Sequence, residues 1–207
     1  MNRLLHLMLL QPVIILLFLL LPVAGQAELQ HYVKKYQRVN VPEVFLNKME
    51  SYDHLVKYFS SFAYFVPRHQ VNPYFIHALI LAESSANPRA ISPEKAYGLG
   101  QIILSTARIA GRELADSGIE FKYIRESRLK NLRRNDLFNP AINILLTCYL
   151  IAKYNYKFNG QLELVITAWN AGEYSKYLYH GKHAPYKETE NLIGKVNGYY
   201  NYLLKNR

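Results

Sequence analysis

Cysteine is almost missing from this 207-residue chain, with Cys148 as its only example. A lone thiol excludes an internal disulfide and any zinc site built from several thiolates. Cys148 sits in the apolar run Ile142 to Ile151 with no activating base beside it, so it reads as a small buried hydrophobe. Acids are also few, 15 Asp and Glu against 25 Lys and Arg, which leaves a formal charge of +10. An excess of that size draws anionic polymers or membrane surfaces toward the protein without naming them. Only 19% of residues are charged while 50% are apolar, a balance that excludes a disordered chain and, at this length, fits one core plus an extension. No repeat of fixed period and no convincing alternating strand pattern is present, so the expected fold class is mainly α. The seven histidines are scattered, and His180 with His183 lacks a clear third ligand; neither a metal nor a cofactor is expected.

One long apolar run is present at the start. Arg3 gives a positive beginning, Leu4 to Leu21 is almost wholly apolar, and Gly25-Gln26-Ala27 supplies the small residues that a signal peptidase needs. Residues 1–27 therefore read as an export signal, with an uncleaved anchor as the alternative, since the run is near the lower limit of about 17 to 20 residues for a spanning helix. Export places the chain in the periplasm or cell envelope. There its charge meets wall polymers and phospholipid head groups rather than nucleic acid, leaving room for peripheral contact with the membrane or a secretion machine.

Glu28 to about Pro42 is polar and basic without a steady period and reads as an irregular arm. Apolar residues at helical spacing from Glu43 to Val66 (Val44, Met49, Leu55, Val56, Phe59, Phe62) predict one or two helices before Pro67. Residues 28–66 are thus an N-terminal arm and helical extension, and 67–207 the main domain. Asn72-Pro73 predicts a capped helix start, with Ile76, Leu79, Ile80 and Glu83 on one face of a helix that runs to about Ser84 and stops at Asn87-Pro88. Residues 88–100, with two prolines and two glycines, predict a loop, and a helix follows from about Ile102. The stretch 116–138 is charged and irregular. Asn139-Pro140 predicts a second capped start and a long helix to about Phe158; Gln161 to Ala171, with Gly172 as a left-handed cap, and Glu188 to Leu204 complete the series.

Glu83 ends an apolar stripe, where burial would raise a carboxyl's pKa and let it act as an acid near neutral pH. By position alone an ion-paired or solvated helix-end charge is the commoner reading. Around it stand Glu83-Ser84, Asn87-Pro88, Ala90-Ile91-Ser92-Pro93, Ala96-Tyr97-Gly98-Leu99-Gly100-Gln101 and Ser105-Thr106-Ala107. Further on come Ala168-Trp169-Asn170-Ala171-Gly172 and Pro185-Tyr186-Lys187-Glu188-Thr189 with Val196. In this order they resemble the SLT-type lytic transglycosylases. The resemblance implies a lysozyme-like helical domain with a substrate cleft and no need of a cofactor. It also implies that Glu83 protonates the bridge oxygen of a peptidoglycan strand and then takes a proton back from the substrate's own hydroxyl, closing a 1,6-anhydro ring.

The matched positions Ser84, Tyr97, Gly98, Leu99, Gly100, Gln101, Trp169, Asn170, Ala171, Tyr186 and Glu188 are the candidate substrate contacts. Ser84 is suited either to the Glu83 carboxyl or to backbone carbonyls. Gln101 and Asn170 both donate and accept, which suits amino sugars. Trp169 is suited to the core or to sugar stacking, and its helical stripe favours the core. Three positions depart from the family. Gly100 stands where methionine is usual, which predicts a lost apolar contact and a looser loop. Trp169 replaces a tyrosine. Leu192 replaces the tyrosine that helps to hold the acid in many relatives, so that hydroxyl is either absent or supplied from elsewhere, with Tyr97, Tyr199 and Tyr200 as candidates. The expected activity is a peptidoglycan lytic transglycosylase working as a monomer; a goose-type-lysozyme-like hydrolase and a weakly catalytic glycan-binding or envelope-assembly protein are the alternatives.

Overall fold

The computed structural model describes residues 24–67 and 70–206. The apolar run that carries the export-signal reading lies outside the described residues. Among the described residues no helix is long and apolar enough to cross a membrane.

The described residues start with α1 (Ala24–Tyr36), where the sequence predicts an irregular arm over 28–42. The helix exists because of its seat. Leu29, Tyr32 and Tyr36 form a sparse stripe that faces α10 (Lys187–Asn206) in the most extensive helix pairing of the fold. At that contact α10 carries Gly194 and Gly198, and a Cβ on Gly194 would lie 2.7 Å from the backbone of Tyr32. The two backbones touch because those side chains are absent, a tertiary effect that one-strand periodicity cannot register. Tyr36 adds a hydrogen bond of 3.0 Å to Asn191 Oδ1.

The next two helices, α2 (Glu43–Glu50) and α3 (Asp53–Ser60), occupy the segment where one or two helices are expected. Val44 is a correction, since it is exposed, and Met49, Leu55, Val56 and Phe59 are the residues that enter the core. The fourth helix, α4 (Pro73–Ser84), begins as Asn72-Pro73 predicts, with Asn72 Oδ1 accepting from Tyr74 N at 2.8 Å. Every residue from Ile76 to Ala82 is buried, so α4 is a central helix enclosed on all sides. His77, polar within that run, pairs with Asp53 of α3 at 3.2 Å. The helix ends before Asn87-Pro88, because Ser85 (φ 52°) and Ala86 (φ 59°) both adopt left-handed backbone. Two successive non-glycine residues there cost about 1 kcal/mol or more each, a strain that marks functional segments.

Residues 88–103 contain a short antiparallel pair, β1 (Ala96–Tyr97) and β2 (Ile102–Ile103), so Ile102 belongs to a strand and the following helix, α5 (Leu104–Asp116), starts later than predicted. Two-residue strands carry too little alternation to show as a pattern. The charged stretch after α5 contains α6 (Glu126–Lys130) and a 3-10 turn (Arg134–Phe138). A long central helix, α7 (Pro140–Lys157), follows; Asn139 Oδ1 caps it by accepting from the amides of Ala141 and Ile142. Next come α8 (Leu162–Ala171), the single turn α9 (Lys176–Tyr179) and α10. Gly172 has φ 90° and ψ 144°, a glycine conformation outside the predicted left-handed helical cap.

The fold is mainly α. One core runs from Val41 to Leu203, so the residues between 41 and 67 pack into the same interior as the rest. α10 lies against α1, α4 and α8, while α7 lies against α3, α5 and α8. Cys148, fully buried on α7, has its thiol pKa pushed up by that burial.

Candidate active site

The C-terminal end of α4, the β1–β2 hairpin, α7, α8 and the start of α10 enclose a cleft of about 420 Å³. Glu83 lines it together with Gln101, Trp169, Asn170 and Glu188. The carboxylate is half-buried, and Trp169 Nε1 donates to Glu83 Oε1 at 2.6 Å. Trp169 therefore faces the cleft, against the core reading of its helical stripe. Its polar handle is the reason: the ring body packs on the core while the indole N–H meets the acid. A donor on Glu83 thus comes from α8. None of the tyrosines considered for that task is hydrogen-bonded to Glu83; the ring of Tyr97 packs edge-on against Phe138, that of Tyr200 against Phe75, and that of Tyr199 lies under Lys195.

Burial drives the electrostatics of Glu83, raising its pKa from the ordinary carboxyl value to about 7. The indole hydrogen bond and the positive charge of Lys195 oppose the rise, and the negative charge of Glu188 adds to it. Lys195, on α10, donates to Ala82 O at 2.7 Å beside Glu83 in the chain. Burial lowers its own pKa, against the pull of Glu83. The acid of the cleft is protonated up to neutrality yet held in place.

The Gly98–Gln101 segment behaves differently from its sequence reading. Only Gln101 lines the cleft, its side chain turned back by a 2.8 Å bond from Nε2 to Gly98 O and its backbone left-handed at φ 51°. Leu99 is wholly buried. Gly98 and Gly100 face α7, not the cleft: a Cβ on Gly98 would meet Leu137 O and Asn143, and one on Gly100 would meet Thr147 Oγ1. Gly100 therefore does not loosen the loop; its amide donates to Asn143 Oδ1 at 2.7 Å. Asn143 also donates to Tyr97 O at 3.0 Å and Leu137 O at 2.8 Å, so one fully buried amide ties the whole turn to α7. Sequence reasoning missed Asn143, although an amide inside the apolar run of α7 is the available signal, since buried polar groups are nearly always bonded.

The remaining candidates divide. Asn170 Oδ1 accepts from the buried Thr189 Oγ1 at 2.6 Å, and its Nδ2 reaches Glu188 Oε1 at 3.4 Å, which joins α8 to α10 across the cleft wall. Ser84 donates to Ile80 O at 3.2 Å and lies on the far side of the helix end, away from the cleft. Tyr97 is buried in the hairpin, Ala171 is half-buried at the end of α8, and Tyr186 is exposed with its ring edge-on to Tyr177. None of those three lines the cleft. Glu188, a candidate substrate contact, does line it, and so does Glu94, which belongs to none of the motifs. His183 faces the fully buried Glu190 at 2.9 Å rather than His180, and among the described residues no group of three or more His, Cys, Asp and Glu is arranged to hold a metal.

The domain is mainly helical with a lysozyme-like fold, and its cleft holds one carboxyl anchored by an indole N–H. The chain belongs to the Transglycosylase SLT domain family, which matches residues 62–191. It is 30% identical over 147 residues to a Haemophilus influenzae protein named "Putative soluble lytic murein transglycosylase", a match that covers 64% of this chain and 23% of that protein. Among solved structures it is similar to the 70 kDa soluble lytic transglycosylase of Escherichia coli (TM-score 0.57, 19% identity, 87% of this chain and 30% of that one). It is also similar to an inactive mutant of the Pseudomonas aeruginosa lytic transglycosylase Slt (TM-score 0.50, 20% identity, 89% and 25%). At those identities the two structures speak to the fold alone. The chain spans between about a quarter and a third of the length of these relatives.

Proposed function

We propose that this chain is a peptidoglycan lytic transglycosylase acting in the cell envelope on the β-1,4 bond between N-acetylmuramic acid and N-acetylglucosamine. Glu83 gives its proton to the bridging oxygen as the bond from muramic C1 breaks. The 6-hydroxyl of the same muramic residue then bonds to C1 and returns a proton to Glu83, leaving a 1,6-anhydro end and consuming no water. Gln101 and Asn170 face the amide and hydroxyl groups of the sugars, and residues 28–66 brace the catalytic domain 67–207. The observation that carries this reading is the state of Glu83: half-buried, gripped by Trp169, and neutral up to about pH 7. A proton held to that pH is what a leaving alkoxide requires near neutrality.

The test is product mass together with one substitution. Purified peptidoglycan treated with the protein should release muropeptides lighter by one water than lysozyme products, and Glu83→Gln should bind the polymer while cutting it roughly a thousandfold more slowly. Equal cutting by both proteins would remove Glu83 from its role. Binding without cutting by the wild type would leave a glycan-binding module.

A second reading rests on Glu188 and Glu94, which share the cleft with Glu83. A second carboxylate is what a hydrolase uses to activate water or to bond the sugar. Reducing ends that carry oxygen from labelled water would establish that goose-type-lysozyme-like course instead.

A further inference from the structure

Half of the chain's net charge lies in one short stretch away from the cleft. Residues 122–134 hold six Lys or Arg and one acid, a net +5 out of +10. Their backbone is firmly seated. Ile124, Leu129 and Leu132 are buried, Arg108 Nε donates to Leu132 O at 3.0 Å, and Gly111 of α5 lets the backbone of Leu129 approach so closely that a Cβ there would sit 2.5 Å from its carbonyl. Like charges of this density repel, and the apolar anchors hold them together despite the cost.

The stretch walls a second cavity of about 480 Å³ that shares no lining residue with the cleft. Arg125, Arg128 and Arg133 converge on it, with Asn131, Asn139 and the carboxylate of Asp136 beside them. Their charges are not equally satisfied. Asp136, almost wholly buried, pairs with Arg128 and uses its other oxygen to accept the Arg133 amide at 2.7 Å. Lys130 is paired with Glu126 at 2.6 Å. Arg125 and Arg133 have no acidic partner among the described residues. A guanidinium offers a planar fork of donors that fits the oxygens of phosphate two at a time, and two unpaired forks beside the Arg128–Asp136 pair suit the oxygens of a phosphate group better than an isolated carboxylate.

We propose that this cavity binds a phosphate-bearing group, gripped by Arg125 and Arg133 and steered by Arg128. The site is independent of the glycan reading and stands or falls separately from it. Two sources share the chemistry: soluble inorganic phosphates, and the phosphodiester head group of an anionic glycerolipid.

The experiment is isothermal titration of the full chain at low salt with inorganic pyrophosphate and, separately, with glycerophosphoglycerol as the head-group probe. Binding of either probe at one site per chain is expected, and the tighter one identifies the source. Arg125→Ala with Arg133→Ala should weaken that binding by about tenfold or more, and Arg125→Lys with Arg133→Lys, which keeps the charge but loses the forks, should weaken it by a smaller factor. Arg128 is left intact because it neutralises buried Asp136. A control pair, Lys34→Ala with Lys205→Ala, removes the same charge at exposed sites on α1 and α10. Equal weakening by the control pair, or no saturable binding of either probe by the wild type, overturns the proposal.

Discussion

At the scale of single residues, Glu83 joins chemistry to stability through one proton. Between about pH 4.5 and 7 the folded protein keeps a proton that the unfolded chain has released, so the fold loses stability as pH rises through that window. Glu83→Gln lacks this loss and should be more stable than the wild type by on the order of 1–3 kcal/mol above about pH 7, with the gain gone below about pH 4.5; denaturant titrations at both ends check it. Trp169 acts on the same proton from the other side. Its N–H favours the charged carboxylate, so Trp169→Phe should raise the Glu83 pKa further and move the alkaline limb of the activity profile upward by up to about one unit. A slower enzyme with an unmoved limb would mean that the indole only packs. Asn143 has no place in the proposed chemistry but holds the turn that presents Gln101. Asn143→Leu strands the Tyr97 and Leu137 carbonyls and the Gly100 amide, and should cost about 3 kcal/mol or more in a melting experiment.

At the scale of elements, legibility followed the range of the forces involved. Asn72-Pro73 and Asn139-Pro140 declared the starts of α4 and α7 because a cap and a first-turn proline are local chemistry. The stripe placed Glu83 at the helix end, but only the ordered motifs around it singled it out, and the structure puts it in the cleft. What escaped reading depends on a partner distant in the chain: α1, which needs the glycines of α10; the face of Trp169, chosen by a carboxylate 86 residues away; and the direction of Gly100, set by Thr147. Gly100 yields a prediction of its own. Gly100→Met, which restores the residue usual in the family, should not improve function here but destabilise the fold by about 1–3 kcal/mol, since its Cβ drives into Thr147 on a fully buried face of α7. A rise in melting temperature would show that the turn has slack.

For the molecule as a whole, the family match and the folded body do not share edges. The match covers residues 62–191, whereas the interior draws on Met49, Val56 and Phe59 before it and Val196 and Leu203 after it. Charge is divided in a similar way: the cleft gathers Glu83, Glu94 and Glu188, while the basic stretch 122–134 walls a separate cavity. A protein trimmed to 62–191 should lose its cooperative thermal transition, which calorimetry would read directly, because the buried side chains of α2 and α3 go with the missing residues.

The pairing of α1 with α10 carries this further. A helix notched by glycines is a poor surface for water and a poor helix by itself; it makes sense only as a socket with its plug in place. Removing only the residues before 62 pulls the plug from the helix that also carries Lys195, so the first casualty would be the poise of the acid beside which that lysine is held.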